Sequence, residues 1–202
     1  MDLRELPPVD IGSCFKWKGV VEKTMTSLPR MDEYLSEEGF AELSLAWSEG
    51  GLKVHLSVES TFKGSFFPDV EKGDGLELFI DTRGVEEALV MHKYCHHFIF
   101  LPKEVDGIIG AEVTSFRGED KHIPADPENF EVKTTFQRMG YTMEILIPEI
   151  CLFGYDDRGE DPWIGFAFRL HRQGEKPMHF PVSSVDLKME AHPALWARLQ
   201  LI

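Results

Sequence analysis

The sequence predicts an all-β, mainly antiparallel protein, folded as a two-sheet, jelly-roll-like β-sandwich with one or two short helices. Three observations predict this fold. Apolar and polar residues alternate with a period of two over many short segments, as in strands with one buried face. Glycine- and proline-containing turns separate these segments, and the strand–helix–strand alternation that builds parallel sheets is missing from the pattern. Phenylalanine, with 15 copies, is the dominant aromatic residue and suits packed sheet faces.

The clearest local prediction is a β-hairpin. Apolar and polar residues alternate over residues 41–47 and again over residues 52–58, and the sequence Glu-Gly-Gly at residues 49–51 separates the two segments. Two alternating segments around a glycine turn are typical of a hairpin with one buried face.

Weaker patterns predict the remaining elements. The other strands are predicted at residues 76–81, 94–101, 110–116, 164–170 and 199–201, with an edge strand at 15–21. Residues 130–136 and 141–147 are predicted to form a second hairpin around Arg-Met-Gly at 138–140. Pro102 and Pro148 are expected to end the strands that precede them, because proline cannot donate a ladder hydrogen bond. Helical turns are expected within residues 85–93 and 150–153.

Length and composition indicate one globular domain. A chain of 202 residues with 43% hydrophobic residues can bury a substantial core. We therefore expect residues 1–202 to form a single sandwich domain, with residues 1–39 as an irregular segment packed on it.

The charge and the cysteines restrict the partners and the compartment. A formal net charge of −14 disfavours nucleic acid and anionic membranes and leaves cations, neutral ligands or basic proteins as easier partners. The apolar segments are too short to span a bilayer, and no secretory signal pattern occurs at the start of the sequence. The three cysteines, Cys14, Cys95 and Cys151, are widely spaced and odd in number, which disfavours a disulfide framework. We expect a cytoplasmic protein.

The order of the segments resembles the family 9 carbohydrate-binding module and its relatives, the DOMON-like sandwiches. The resemblance begins with the hairpin at 41–58 and the sequence Gly-Asp-Gly-Leu-Glu-Leu-Phe-Ile-Asp at 73–81. It continues with Gly-Tyr-Thr-Met-Glu-Ile-Leu-Ile-Pro at 140–148, Trp-Ile-Gly-Phe-Ala-Phe-Arg-Leu at 163–170 and the closing segment at 193–201. This resemblance implies a non-catalytic sandwich with saccharide as the nominal ligand. The sugar-binding relatives are usually attached to secreted glycosidases and hold the sugar between aromatic rings.

Strand phase predicts a polar binding surface. If the apolar residues of the strands at 76–81, 141–147 and 164–170 point inward, a set of polar side chains points outward. This set consists of Glu77, Asp81, Glu144, Arg169 and His171, with His97 as a weaker member. Carboxylates beside a guanidinium and an imidazole suit hydrogen bonding to sugar hydroxyls. The same residues would also serve as mutual ion pairs on a solvated sheet face, and this alternative stays open.

The tryptophans do not provide an obvious sugar clamp. Trp47 is in phase with the apolar positions of its strand, and Trp196 precedes the terminal strand, so both are expected in the core. Trp17 and Trp163 lie at predicted strand edges or loops, where an exposed ring can stack on a sugar.

Metal and haem sites are less well supported by the pattern. His92 and His96 have the spacing of two ligands on a helix face, but residues 94–100 are typical of a strand, so no metal site is predicted. Met178-His179 and Met91-His92 offer the residue types of haem ligands without a ligand motif. Calcium would have oxygen ligands in the acidic loops at 69–74 and 156–161, but the spacing of a known calcium loop is missing, and no cofactor is predicted.

The sequence predicts a binding protein and not an enzyme. It contains no glycine-flanked nucleophile, phosphate loop, metalloprotease or dinucleotide motif. Ser183-Ser184 near His179 has no supporting context in the sequence, and the separation of Glu77 and Glu144, which decides glycoside hydrolysis, cannot be read from it. The alternative to saccharide binding is a cytoplasmic protein-interaction or scaffold domain of the same fold, or a haem- or metal-binding DOMON-like domain.

Overall fold

The computed structural model describes residues 10–14 (backbone only), 25–85, 88–156, 163–184 and 187–202. Within these residues the chain is almost entirely strand and loop, with one four-residue helix, α1 (Asp32–Leu35), and several short 3-10 turns. None of the helices in this part of the chain is long and apolar enough to cross a membrane.

The described residues form twelve strands in two sheets. In chain order these are β1 (Asp10–Cys14), β2 (Thr26–Ser27), β3 (Ala41–Ser48), β4 (Gly51–Val58), β5 (Gly75–Asp81), β6 (Cys95–Val105), β7 (Ile108–Glu112), β8 (Glu131–Gln137), β9 (Gly140–Pro148), β10 (Trp163–His171), β11 (Met178–Phe180) and β12 (Ala197–Leu201). Sheet A has the order β1-β12-β10-β5-β6-β7, with β11 beside β10, and sheet B has the order β2-β3-β4-β9-β8. The β1–β12 pair is parallel and the other pairs are antiparallel. The predicted mainly antiparallel β-sandwich is therefore confirmed.

The main core lies between the two sheets and follows the period of two. On the hairpin β3–β4, inward residues such as Leu45, Leu52 and Val54 are almost fully buried. They pack against Leu78 and Phe166 of sheet A in one apolar cluster. Each strand contributes every second residue to this layer because successive side chains point to opposite faces.

The outer face of sheet A, which points away from sheet B, is also largely covered. Loops place Met91, Met189 and Trp196 over Phe79 and Ala167 in a second apolar cluster. A third cluster covers the same face nearer the other end of the strands and consists of Val70, Ile99 and Leu101. All seven residues of β5 are consequently buried, including the polar ones. The polar residues between the two outer clusters form the site described below.

Several element boundaries differ from the predictions. β6 continues through Pro102 to Val105, with an irregular register after Phe100, where a proline is tolerated. The strand predicted at 110–116 is β7, which ends at Glu112. Instead of a helical turn, the described residues within 85–93 form irregular loop.

Other predictions lie outside the described residues. These are the edge strand at 15–21, Trp17, and the carboxylates Asp157, Glu160 and Asp161.

Candidate ligand-binding site

A cavity of about 450 Å³ opens on the outer face of sheet A, between the second and third apolar clusters. This volume is in the range of sites for small molecules. One part of its wall is apolar and includes Pro68, Val70, Ile99, Val113 and Pro177. The other part is polar and consists of Glu71, Glu77, His97, Arg169, His171 and Ser184.

The sheet register brings the polar side chains together. Arg169 of β10 is directly opposite Glu77 of the neighbouring strand β5. On the other side of β5, Glu77 is opposite Ile99, so His97 lies one outward position along β6. His171 lies one outward position beyond Arg169. Such direct and diagonal neighbours on one face are within reach of long side chains.

Glu77 is the centre of a hydrogen-bond network. Its Oε1 accepts hydrogen bonds from Nε of Arg169 at 2.6 Å and from Nε2 of His171 at 2.6 Å. Its Oε2 accepts from Nε2 of His97 at 2.6 Å and from Nη2 of Arg169 at 3.0 Å. Two nitrogens of the guanidinium therefore hold the carboxylate in bidentate geometry, and two imidazoles complete its coordination.

The network keeps Glu77 ionised although its side chain is only 3% exposed. Burial alone would raise the pKa of Glu77, but the hydrogen bonds from His171, His97 and Arg169 outweigh burial and hold its pKa far below the usual range. A carboxylate that already accepts four hydrogen bonds has little capacity left for sugar hydroxyls. Glu77 thus fixes the other polar groups at the cavity wall by hydrogen bonds, and its direct contact with a ligand stays a prediction.

Arg169, His97 and His171 are the polar groups that this arrangement presents to a ligand. Nη1 of Arg169 is not used by Glu77 and lies 3.2 Å from Oγ of Ser184 and 3.6 Å from a carboxylate oxygen of Glu190. Each histidine donates through Nε2, so in the neutral ring its Nδ1 carries a lone pair that can accept a hydrogen bond.

Asp81 lies on the same face of β5 but outside the cavity. Its carboxylate accepts hydrogen bonds from the backbone N–H groups of Arg83 at 2.9 Å and Val85 at 2.8 Å, and thereby holds the turn after β5. Burial raises the pKa of Asp81. The prediction that Asp81 shares a surface with Glu77 is not met, because the second apolar cluster lies between the two carboxylates.

Glu144 is on the other sheet. It lies in β9, which pairs with β4 and β8 of sheet B, and its cross-strand neighbours are His55 and Lys133. The alternation of residues along the strand predicted that the Glu144 side chain points outward, but it does not determine which sheet the strand joins. The expectation that Glu144 shares a face with Glu77 is therefore wrong, and the two carboxylates cannot act as a pair on one glycoside.

The residues that line the cavity include no tryptophan, tyrosine or phenylalanine among the described part of the chain. Trp47 and Trp196 are buried in the core, as predicted. Trp163 is partly buried, and the guanidinium of Arg198 lies 4.5 Å from the centre of its ring. The imidazole of His97 lines the cavity, and its ring centre lies 4.4 Å from that of the buried Phe79.

A second polar cluster lies on the inner face of sheet A at its edge. Oε1 of the buried Glu112 accepts hydrogen bonds from Nδ1 of His96 at 3.0 Å, Nε2 of His122 at 2.7 Å and the hydroxyl of Thr114 at 2.6 Å. Burial alone would raise the pKa of Glu112, but hydrogen bonds from His122 and His96 outweigh burial and lower it. Glu112 and His122 were not predicted from the sequence, because the β6–β7 pairing and the following loop bring them to His96.

Two groups of side chains have ligand atoms close enough to hold a metal ion among the described residues. One is the cluster of His96, Glu112 and His122, and the other consists of Asp81, His92 and Cys95. The two histidines that the sequence paired, His92 and His96, thus belong to different groups. In the second group, burial raises the pKa of the Cys95 thiol and disfavours the thiolate that a metal requires.

The residue types considered for haem and calcium have other roles in the structure. His179 uses both ring nitrogens, for Glu37 and Ser184, and Met178 is buried in the main core. In the loop at 69–74, Asp74 accepts hydrogen bonds from the backbone N–H groups of Lys63 and Gln173. Asp69 pairs with Lys72.

Comparison with solved structures supports the two-sheet sandwich architecture. No protein-family model and no curated protein matches the chain. Solved structures that share its fold include a carbohydrate binding module family 9 (CBM9) from Caldicellulosiruptor kristjanssonii in complex with glucose. The TM-score is 0.67 at 16% identity, and the match covers 96% of this chain and 95% of that chain. A family 9 module from the same organism in complex with cellotriose gives a TM-score of 0.62 at 16% identity, covering 95% of this chain and 93% of that chain.

A third solved structure is a candidate carbohydrate-binding protein from Bacteroides uniformis. Its TM-score is 0.57 at 10% identity, and the match covers 97% of this chain and 100% of that chain. At these identities the likeness concerns the fold, and the DOMON-like part of the predicted resemblance stays a prediction. The chain has the β-sandwich fold of the family 9 carbohydrate-binding modules.

Proposed function

We propose that the protein binds a small saccharide in the cavity beside Glu77. The observation that carries this proposal is the set of Arg169, His97 and His171, which a buried carboxylate fixes at the wall of a cavity of about 450 Å³. Their orientation is set before a ligand arrives, so binding costs little side-chain entropy. A neutral polyhydroxylated ligand also suits a chain with a net charge of −14.

The shape of the cavity supports a ligand with one polar and one apolar side. The wall formed by Pro68, Val70, Ile99, Val113 and Pro177 would contact the C–H groups of a sugar ring. The polar wall would contact its hydroxyls, with Arg169 as donor and the histidines as donors or acceptors. The likeness to modules whose solved structures contain glucose and cellotriose supports the same ligand class.

The test is a glycan-array screen followed by calorimetric titration of the best ligand. Arg169→Ala and His97→Ala should each lower the affinity by about tenfold or more, because each removes a hydrogen bond in a partly desolvated site. Glu144→Ala is the matched control, since it removes an outward carboxylate from sheet B and should leave the affinity unchanged.

Two results would overturn the proposal. One is unchanged affinity in both cavity variants. The other is failure of the wild-type protein to bind any glycan on the array, which would favour the protein-interaction alternative.

A further inference from the structure

Ser184 at the edge of the cavity belongs to a second hydrogen-bond chain, which runs away from the cavity into the protein. Oγ of Ser184 lies 2.6 Å from Nε2 of His179, and Nδ1 of His179 lies 2.6 Å from Oε1 of Glu37. The side chains of His179 and Glu37 are 0% and 8% exposed, whereas Ser184 is partly exposed and lines the cavity.

Three segments of the protein supply the residues of this hydrogen-bond chain. His179 is the central residue of β11, Ser184 follows five residues later, and Glu37 lies in the loop after α1, 142 residues away from His179. The backbone N–H of His179 also donates a hydrogen bond to Oε2 of Glu37 at 2.9 Å. The carboxylate is thus held by two atoms of the histidine that it orients.

The hydrogen-bond partners of His179 determine which of its ring nitrogens carries the proton. Burial alone would raise the pKa of Glu37, but hydrogen bonds from His179 outweigh burial and lower it, so the carboxylate accepts and Nδ1 of His179 donates. In the neutral ring Nε2 then carries the lone pair and accepts the hydrogen bond of the Ser184 hydroxyl. A nucleophile, a base and a group that orients the base are arranged in this order in serine hydrolases.

A cation stands beside the nucleophile. Nη1 of Arg169 lies 3.2 Å from Oγ of Ser184, while Nε and Nη2 of the same guanidinium are fixed by Glu77. An anchored donor at this place can stabilise the negative charge that develops on the carbonyl oxygen when Ser184 attacks the carbonyl carbon.

We infer that Ser184, His179 and Glu37 hydrolyse an ester, and that the substrate is an O-acylated saccharide bound in the cavity. The ester class follows from the nucleophile and its base, and the saccharide part rests on the proposed function. Ser184 and His179 are the catalytic residues, and Glu37 is a positioning residue.

The reaction uses only water as a second substrate. Oγ of Ser184 bonds to the ester carbonyl carbon, and its proton passes to Nε2 of His179. The ester C–O bond then breaks, and His179 returns the proton to the departing sugar oxygen, which leaves as a hydroxyl. Water attacks the acyl-serine with His179 again as base, which releases the carboxylic acid and restores the Ser184 hydroxyl.

The first test is covalent labelling of the full chain with a fluorophosphonate probe, read by intact and peptide mass spectrometry. We expect one adduct, on Ser184, because its oxygen displaces fluoride from phosphorus. Ser184→Ala should give no adduct. Ser27→Ala, which removes an exposed hydroxyl on sheet B, should be labelled like the wild type.

The second measurement is hydrolysis of p-nitrophenyl acetate and glucose pentaacetate. Ser184→Ala should lower the rate by about 10²-fold or more. Glu37→Gln should slow both labelling and hydrolysis by at least about tenfold, because Glu37 orients His179 without touching the substrate. The near-ultraviolet circular dichroism spectrum of this variant should be unchanged, which would show that the fold is intact.

Absence of an adduct on Ser184 would overturn the inference, even where the protein binds free sugars. Equal hydrolysis rates in the wild type and in Ser184→Ala would overturn it as well. Labelling of Ser184 together with hydrolysis of p-nitrophenyl acetate but not of glucose pentaacetate would support the nucleophile and reject the saccharide substrate.

Discussion

At the scale of single residues, two carboxylates on one face of β5 show how different surroundings shift a pKa in opposite directions. Glu77 and Asp81 are both about 2% exposed. Glu77 faces a guanidinium and two imidazoles, which lower its pKa in spite of burial. Asp81 accepts two neutral backbone N–H bonds, and burial raises its pKa. The alternation of residues predicts that both side chains point outward, but it does not predict which of them pairs with Arg169.

The first prediction concerns Glu77. Glu77→Gln should lower the free energy of unfolding by about 3 kcal/mol, because it removes the charge that two imidazoles and Arg169 share in a buried site. Urea denaturation at pH 7 measures this change. Glu144→Gln is the control and should change stability by less than about 0.5 kcal/mol. A loss below about 1 kcal/mol in Glu77→Gln would show that the network does not stabilise the fold.

At the scale of elements, local patterns were sufficient for the hairpins and insufficient for long-range pairing. The predicted hairpin at 41–58 is β3–β4, and the segments at 130–136 and 141–147 form β8–β9. Each turn places its two strands side by side. The strands β2 and β11 were missed because two or three residues carry no periodic signal.

The turn of the first hairpin, β3–β4, depends on a glycine at residue 51. Gly51 has a φ of +135°, and a Cβ there would lie 2.1 Å from the carbonyl oxygen of Ile147 on the neighbouring β9. Gly51→Ala should therefore cost about 2 kcal/mol or more of unfolding free energy. Gly50→Ala is the matched control in the same turn, since its Cβ would meet only the Ser48 hydroxyl at 3.6 Å. Thermal and urea unfolding of both variants measure the difference, and similar losses would contradict this explanation.

At the scale of the whole molecule, three hydrogen-bonded carboxylate–histidine networks among the described residues connect segments far apart in sequence. One surrounds Glu77 on the outer face of sheet A, one surrounds Glu112 on its inner face, and one joins Glu37 to His179. Part of the first network could be predicted from the sequence, because its residues lie on strands whose apolar and polar residues alternate clearly. These residues are Glu77, His97, Arg169 and His171. The other two depend on loops and on β11, whose positions follow from tertiary packing.

These networks predict that acid destabilises the protein. The folded-state pKa values of Glu37, Glu77 and Glu112 are lowered, each by hydrogen bonds that outweigh burial, and burial lowers that of His96. A group whose pKa is lower in the folded state stabilises the fold above its unfolded pKa and loses this contribution as pH falls. The unfolding free energy should thus begin to fall below about pH 6.5, where His96 charges on unfolding, and fall more steeply below about pH 4.5.

Urea denaturation between pH 7 and pH 3.5 in about 0.15 M salt measures this effect. The salt screens the repulsion of the surface charges, whose relief near the isoelectric point of about 5.0 acts in the opposite direction. Glu112→Gln is expected to be less stable than the wild type at pH 7 and to have a flatter pH dependence, because it removes one of the lowered pKa values. If stability stays constant or rises down to pH 3.5, surface repulsion outweighs the networks, and the buried carboxylates do not govern the acid stability of this fold.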